Sequence, residues 1–150
     1  MTTETFQWSD AFLLGYGKMD DTHREFVELV AAMLTCPDPE MAERLHAFAA
    51  HAEHHFAEEL NWMLTSQFPA TQCHADEHAA VMGSVRQVQE LVDAGNIEVA
   101  RCLATELARW FPSHADHMDS ALAQWLVRKK HGGAPLVLKR GIKQQADTVG

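Results

Sequence analysis

Positive charge is scarce in this sequence. Across 150 residues it has 12 lysines and arginines against 21 aspartates and glutamates, a formal net charge of −9. A nucleic-acid partner requires a basic footprint to neutralise phosphates, and no such footprint is visible. The few basic residues gather late, at Arg128, Lys129 and Lys130 and again at Lys139 and Arg140, and read as part of a solvated tail. Cysteine is sparse too. Cys36, Cys73 and Cys102 are isolated and odd in number, with no C-x-x-C pair, which argues against a disulfide framework and against a zinc ribbon. A reducing cytoplasm is the expected setting. No apolar run reaches membrane-spanning length, and none at the N-terminus resembles a signal peptide. Strand-rich segments and internal repeats are also missing. What is abundant is histidine: ten residues, roughly three times ordinary usage.

Helical periodicity dominates the chain. A first segment, with Asp20 or Asp21 as its cap, places His23, Phe26, Val27, Val30 and Leu34 on one face. "CPDPE" at 36–40 breaks it, and Asp38 with Pro39 can start the next helix. The second segment, 40–66, carries Leu45, Phe48, Ala52, His55, Glu59 and Trp62 at steps of three and four, a stripe that should be buried. After "FPATQ", a third segment aligns His74, His78, Val81, Val85, Val88 and Val92, and Gly95 ends it. The fourth aligns Leu103, Leu107, Trp110, His114, Ala121 and Trp125, widened by Leu122 and Leu126. Pro112 should kink this helix, because it removes a backbone donor and crowds the preceding turn. The expected architecture is all-α: a single domain over 1–150, with an up-down-up-down four-helix bundle as its core at about 8–130. An N-terminal arm, with Trp8 and Phe12 packing on the bundle, and a C-terminal extension over 131–150 complete it.

The polar residues in these stripes need an explanation. His55 and Glu59 are four apart, as are His74 and His78, while His23 and His114 stand on the inward faces of the outer helices. One inward histidine is ordinarily a core residue bonded to a carbonyl. Several buried polar groups at one level, on all four helices, would each cost roughly 1–3 kcal/mol if unsatisfied. One metal centre satisfies them together. No thiolate lies in the stripes, and imidazole suits zinc, copper, iron and nickel. A structural zinc takes four ligands. A larger set containing bridging carboxylate points to two octahedral ions, with iron the natural choice. The Glu-x-x-His pairs of the di-iron carboxylate bundles are missing. A set rich in neutral imidazole should favour a ferrous pair that binds dioxygen without cleaving it.

These residues resemble the hemerythrin family. The resemblance covers about Trp8 to Leu126 and rests on Trp8 with "GYGKMDDTH" at 15–23, "HFAEE" at 55–59, "HADEH" at 74–78 and "WFPSHADHMD" at 110–119. It implies a metal-ligand set of His23, His55, Glu59, His74, His78, His114 and Asp119. It further implies two iron ions bridged by the Glu59 and Asp119 carboxylates and an oxo or hydroxo group. His74, His78 and His114 would complete one iron, and His23 and His55 the other, which keeps a position open for dioxygen. Residue spacing and resemblance diverge at Asp119. On an ideal helix it is displaced about 140° from His114, five residues at 3.6 per turn. His117 aligns better, although Asp119 shares a row with Leu122 and Leu126; the resemblance decides for Asp119. His46, His51, His54 and His131 are expected at the surface or at helix seams, although His51 could support the site from behind, and His117 could likewise hydrogen-bond near it. Phe56, Trp62, Met63, Trp110 and Met118 are candidates to line an apolar oxygen pocket. The implied function is reversible dioxygen binding without enzymatic turnover. Oxygen, redox or nitric oxide sensing, and di-iron peroxidase or nitric oxide detoxification, are the alternatives. Dioxygen is the expected partner; no protein partner is indicated.

Overall fold

A computed structural model of the protein describes residues 6–130. The expected extension over 131–150, with His131, Lys139 and Arg140, lies outside the described residues. Four rods make the bundle. Helix α1 spans Gly17–Thr35, α2 Met41–Thr65 and α3 Thr71–Asp93. The fourth rod begins as α4, Glu98–His114, widens into a π turn over Ala115–Asp119, and resumes as α5, Ser120–Lys130. Helix α1 packs on α2 and α4, and α3 packs on the same two, closing an up-down-up-down ring. No helix among the described residues is long and apolar enough to cross a membrane.

The breaks follow local chemistry. Pro37 and Pro39 confine the α1–α2 link to a short 3-10 turn over Asp38–Glu40. Arg101 fastens that link to α4 by donating to the Cys36 carbonyl (2.7 Å) and to Asp38 Oδ1 (2.6 Å). Gly95, at φ +102°, reverses the chain after α3, a conformation that costs an L side chain about 1 kcal/mol or more. Helix α1 starts earlier than expected, at Gly17 rather than after Asp20 or Asp21. Asp20 is buried and turns back to accept from the Leu14 and Gly15 amides at 2.8 and 3.1 Å. It anchors the N-terminal arm and leaves the helix start to the residues before it. The arm packs as expected, with Trp8 and Phe12 against each other at 5.5 Å and Phe12 against Phe111 at 5.3 Å.

The apolar core is divided in two. The larger part contains Phe26, Val30, Phe48, Ala52, Val85, Leu107 and Phe111. The smaller contains Leu14, Met19, Met63, Phe68, Leu122 and Ala123. Chain order shows what separates them. On α1, His23 stands between Met19 and Phe26. On α2, His55 and Glu59 stand between Ala52 and Met63. On the fourth rod, His114 and Asp119 stand between Phe111 and Leu122. A polar layer therefore crosses the bundle between two apolar ones.

The fourth rod shows two departures from the sequence expectation. Phe111 is buried where Trp110 was expected, and Trp110 is only half-buried. Steps of 4-4-3 and 4-3-4 from Leu103 to His114 are both helical, and the smaller ring takes the interior. Beyond His114 the buried face moves on by one residue: Ala121 is exposed, whereas Leu122 and Ala123 are buried. The π turn accounts for this, because it inserts one extra residue into the helical phase.

Asp20→Ala should leave the buried Leu14 amide without an acceptor and lower stability by about 1–3 kcal/mol. Denaturant unfolding followed by circular dichroism checks this; an unchanged midpoint would show that the arm is anchored by its aromatic contacts alone.

Candidate metal centre

All seven sequence-derived donors are buried in the polar layer: His23, His55, Glu59, His74, His78, His114 and Asp119. Helix α1 supplies His23, α2 supplies His55 and Glu59 one turn apart, and α3 supplies His74 and His78 one turn apart. His114 ends α4 and Asp119 ends the π turn. In an α-helix Asp119 would point about 140° away from His114. Here the Ser120 amide donates to the Ala115 carbonyl, an i to i−5 bond, and the wider turn swings Asp119 round to the face His114 occupies. Asp119 Oδ1 lies 3.2 Å from His114 Nε2. His117, the better choice by spacing, is exposed instead.

The donor atoms divide into two sets. Glu59 Oε2 lies 3.3 Å from His55 Nε2 and 3.6 Å from His23 Nε2. Its other oxygen, Oε1, lies 3.4 Å from His74 Nε2 and 3.5 Å from His78 Nε2. Asp119 does the same: Oδ2 is 3.1 Å from His23, and Oδ1 is 2.9 Å from His74. Each carboxylate thus sends one oxygen to the His23 side and one to the His74 side. The atoms do not satisfy one another. Both Glu59 oxygens, Asp119 Oδ1 and the Nε2 atoms of His23 and His74 are buried without an aligned hydrogen-bond partner. Ligands at 2.0–2.2 Å on adjacent corners of an octahedron are about 3.0 Å apart. The separations found here suit atoms aimed at shared ions. His74, His78, His114 and Asp119 form one group able to hold a metal, and His23, His55 and Glu59 a second.

Electrostatics point the same way. Burial alone would strip the proton from His23, yet the Asp119 and Glu59 carboxylates hold its pKa up, at about 10. The same opposition leaves His74 at about 9. Burial takes His55 down to about 4 and His78 to about 3, with neighbouring imidazoles adding to the fall. Glu59 is lowered to about 2 despite its burial and the nearby Asp119, because His55, His23 and His74 surround it. Asp119 is also held well below the usual carboxylate range, against its burial, by His23, His114 and His74. Two protons therefore supply the positive charge that this carboxylate pair demands when no cation does.

Aromatic rings border the layer. Phe56 is buried and stacks on His78 at 3.8 Å. Trp110 stacks on His114 at 4.2 Å. Trp62 lies against Tyr16 and Met63 in the smaller core cluster, while Met118 is half-buried in the π turn. His51 is behind the site, stacked on His55 at 6.1 Å, with Nε2 3.1 Å from Glu25; His46 and His54 are exposed. Two neighbours escaped the sequence reading. Phe111 meets the His23 ring edge-on at 5.2 Å. Glu77 lies 2.5 Å from His114 Nδ1, on the side of the ring away from the donors. Phe111 was detectable as an alternative phase of its helix; no sequence signal pairs Glu77 with a residue 37 positions later.

Residues 14–126 match the hemerythrin HHE cation binding domain. The chain belongs to the hemerythrin family. It is 38% identical over 123 residues to a bacteriohemerythrin of Ralstonia nicotianae, spanning 82% of this chain and 90% of that one. It is 24% identical to a hemerythrin of Sipunculus nudus, over 82% of this chain and 95% of that one. Among solved structures, a crystal structure of a hemerythrin point mutant superimposes with a TM-score of 0.75, covering 83% of this chain and 98% of the other at 22% identity, which shows the shared fold. Dioxygen binding at a di-iron centre is the function of the hemerythrin family, and its members are oxygen-binding proteins.

Metal ligation requires neutral imidazoles, so an ion held by His23 and His74 would displace their protons. At pH 7 zinc loading should release about two protons per chain, from these two raised imidazoles. The sign follows from the upward shift: proton-linked stabilisation of the metal-free fold is complete below about 6.5 and lost as pH rises through about 9 and 10, where the release falls to zero. Calorimetry in buffers of different ionisation enthalpy measures it. No release at pH 7 would mean that both rings are already neutral.

Proposed function

We propose that this protein binds dioxygen reversibly at a pair of iron ions held inside the bundle. His74, His78 and His114 would hold one ion and His23 with His55 the other, and Glu59 and Asp119 would each offer one oxygen to either ion. The observation that carries this reading is the division of the two carboxylates, each with one oxygen directed to either histidine set. A single ion would need both oxygens of a carboxylate on the same side, or would leave one idle. The donor set itself supports iron. Five imidazoles and two carboxylates suit octahedral ions. Thiolate is excluded, since Cys36 is in the apolar core and Cys73 and Cys102 are exposed. When bound, the iron pair supplies the redox-active centre at which dioxygen is taken up.

The protein's own part is to hold, orient and exclude. The His23 side has two imidazoles against three on the other, so it is where an external ligand would find room. Apolar surface surrounds that side: Phe111 lies edge-on to His23, and Phe26 stacks on Phe111 at 5.0 Å. Such a lining would keep water and protons away from ions held there. Phe56 and Trp110 back the other side as flat plates against His78 and His114. The exposed free thiols of Cys73 and Cys102 support a reducing cytoplasm as the site of action.

Iron-loaded protein should contain two irons per chain and show a charge-transfer band that appears with oxygen and disappears on its removal. His74→Ala should lose iron and lower the melting temperature, whereas the exposed His46→Ala should do neither. One metal per chain, a spectrum indifferent to oxygen, or sustained turnover of peroxide or nitric oxide would overturn the assignment.

A further inference from the structure

One charged group reaches the polar layer from outside it. Glu77 lies on α3, one residue before His78, with its side chain 39% exposed. Its Oε1 is 2.5 Å from His114 Nδ1, across the α3–α4 seam. The opposite ring nitrogen, His114 Nε2, lies 3.2 Å from Asp119 Oδ1 and 3.1 Å from His78 Nε2. Trp110 stacks on the face of the same ring. Three other rings of the layer are not served in this way: Nδ1 of His23, His55 and His74 is buried with no hydrogen-bond partner. The asymmetry falls on the side of the layer that holds three imidazoles.

We propose that Glu77 is a positioning residue that fixes His114 as its Nδ1–H tautomer and, through its negative charge, strengthens His114 as a donor. The proposal rests on the two-ion reading of the site. A carboxylate that accepts from one imidazole nitrogen leaves the other bare and fixes the ring's direction. The shared proton draws the ring towards imidazolate character, and a stronger donor stabilises the higher oxidation state of the ion it holds. The ion held by His74, His78, His114 and Asp119 is then the more readily oxidised of the two, while the ion beside His23 and His55 lacks this support. Partial exposure of Glu77 puts the tuning charge within reach of solvent, outside the apolar lining.

Glu77→Gln keeps an acceptor and removes the charge; Glu77→Ala removes both. Zinc titration should show a loss of about 10- to 100-fold in affinity for Glu77→Ala and only a few-fold loss for Glu77→Gln. In the iron-loaded proteins, the midpoint potential should move upward in both variants. Nitrogen NMR of the metal-free chain should find His114 as the Nδ1–H tautomer in the wild type and a mixture in Glu77→Ala. A plain interhelical ion pair would lower only the melting temperature. Unchanged zinc affinity and potential in Glu77→Ala, or an Nε2–H tautomer in the wild type, would overturn the proposal. A wild-type chain that takes up fewer than two ions would instead refute the two-ion reading, and the tautomer measurement would still decide the role of Glu77.

Discussion

Two carboxylates, Glu59 and Asp119, are buried among five imidazoles, and the rest of the bundle is arranged around that charge. Removing an ionised carboxylate from water costs several kcal/mol unless opposite charge meets it. The imidazoles meet it in part, and two of them keep protons far above their ordinary range to do so. The apolar core cannot be continuous across such a layer. It divides into a larger cluster around Phe26, Phe48 and Phe111 and a smaller one around Met19, Met63 and Leu122. Each cluster seals one side of the layer from water, which keeps the electrostatics strong and the donors fixed.

The helices deliver the donors with different precision. On α2 and α3 the spacing of four is sufficient, because residues one turn apart share a face whatever else the helix contains. The fourth rod needs more. His114 and Asp119 are five apart, and only a π turn lets both face inward. That turn also shifts the buried face of α5 from Ala121 to Leu122, so the smaller core cluster depends on the same local distortion. Site and core are thus coupled through one widened turn three residues beyond Pro112, in a segment where the proline has already removed one backbone donor.

Similarity to known proteins and physical reading converge at different levels. At 22% identity to a solved hemerythrin the four-helix arrangement is shared. Within that arrangement this chain buries a set of side chains whose removal would leave buried charge uncompensated. The surrounding aromatics are looser. Phe56 and Trp110 lie against the rings of the layer, whereas Trp62 and Met63 serve the Tyr16 contact and the smaller core cluster.

The sequence by itself determined the helical segments, the all-α bundle and the inward direction of His23, His55, Glu59, His74, His78 and His114, because helical period and burial are properties of local order. It did not determine Asp119: spacing on an ideal helix pointed to His117, and only resemblance pointed to the aspartate. Nor did it determine that Phe111 rather than Trp110 enters the core, that Glu77 meets His114, or how the carboxylate oxygens divide. Those depend on how four rods are phased against one another and on where one of them widens, and such choices are made by packing across helices that no single stretch of sequence contains.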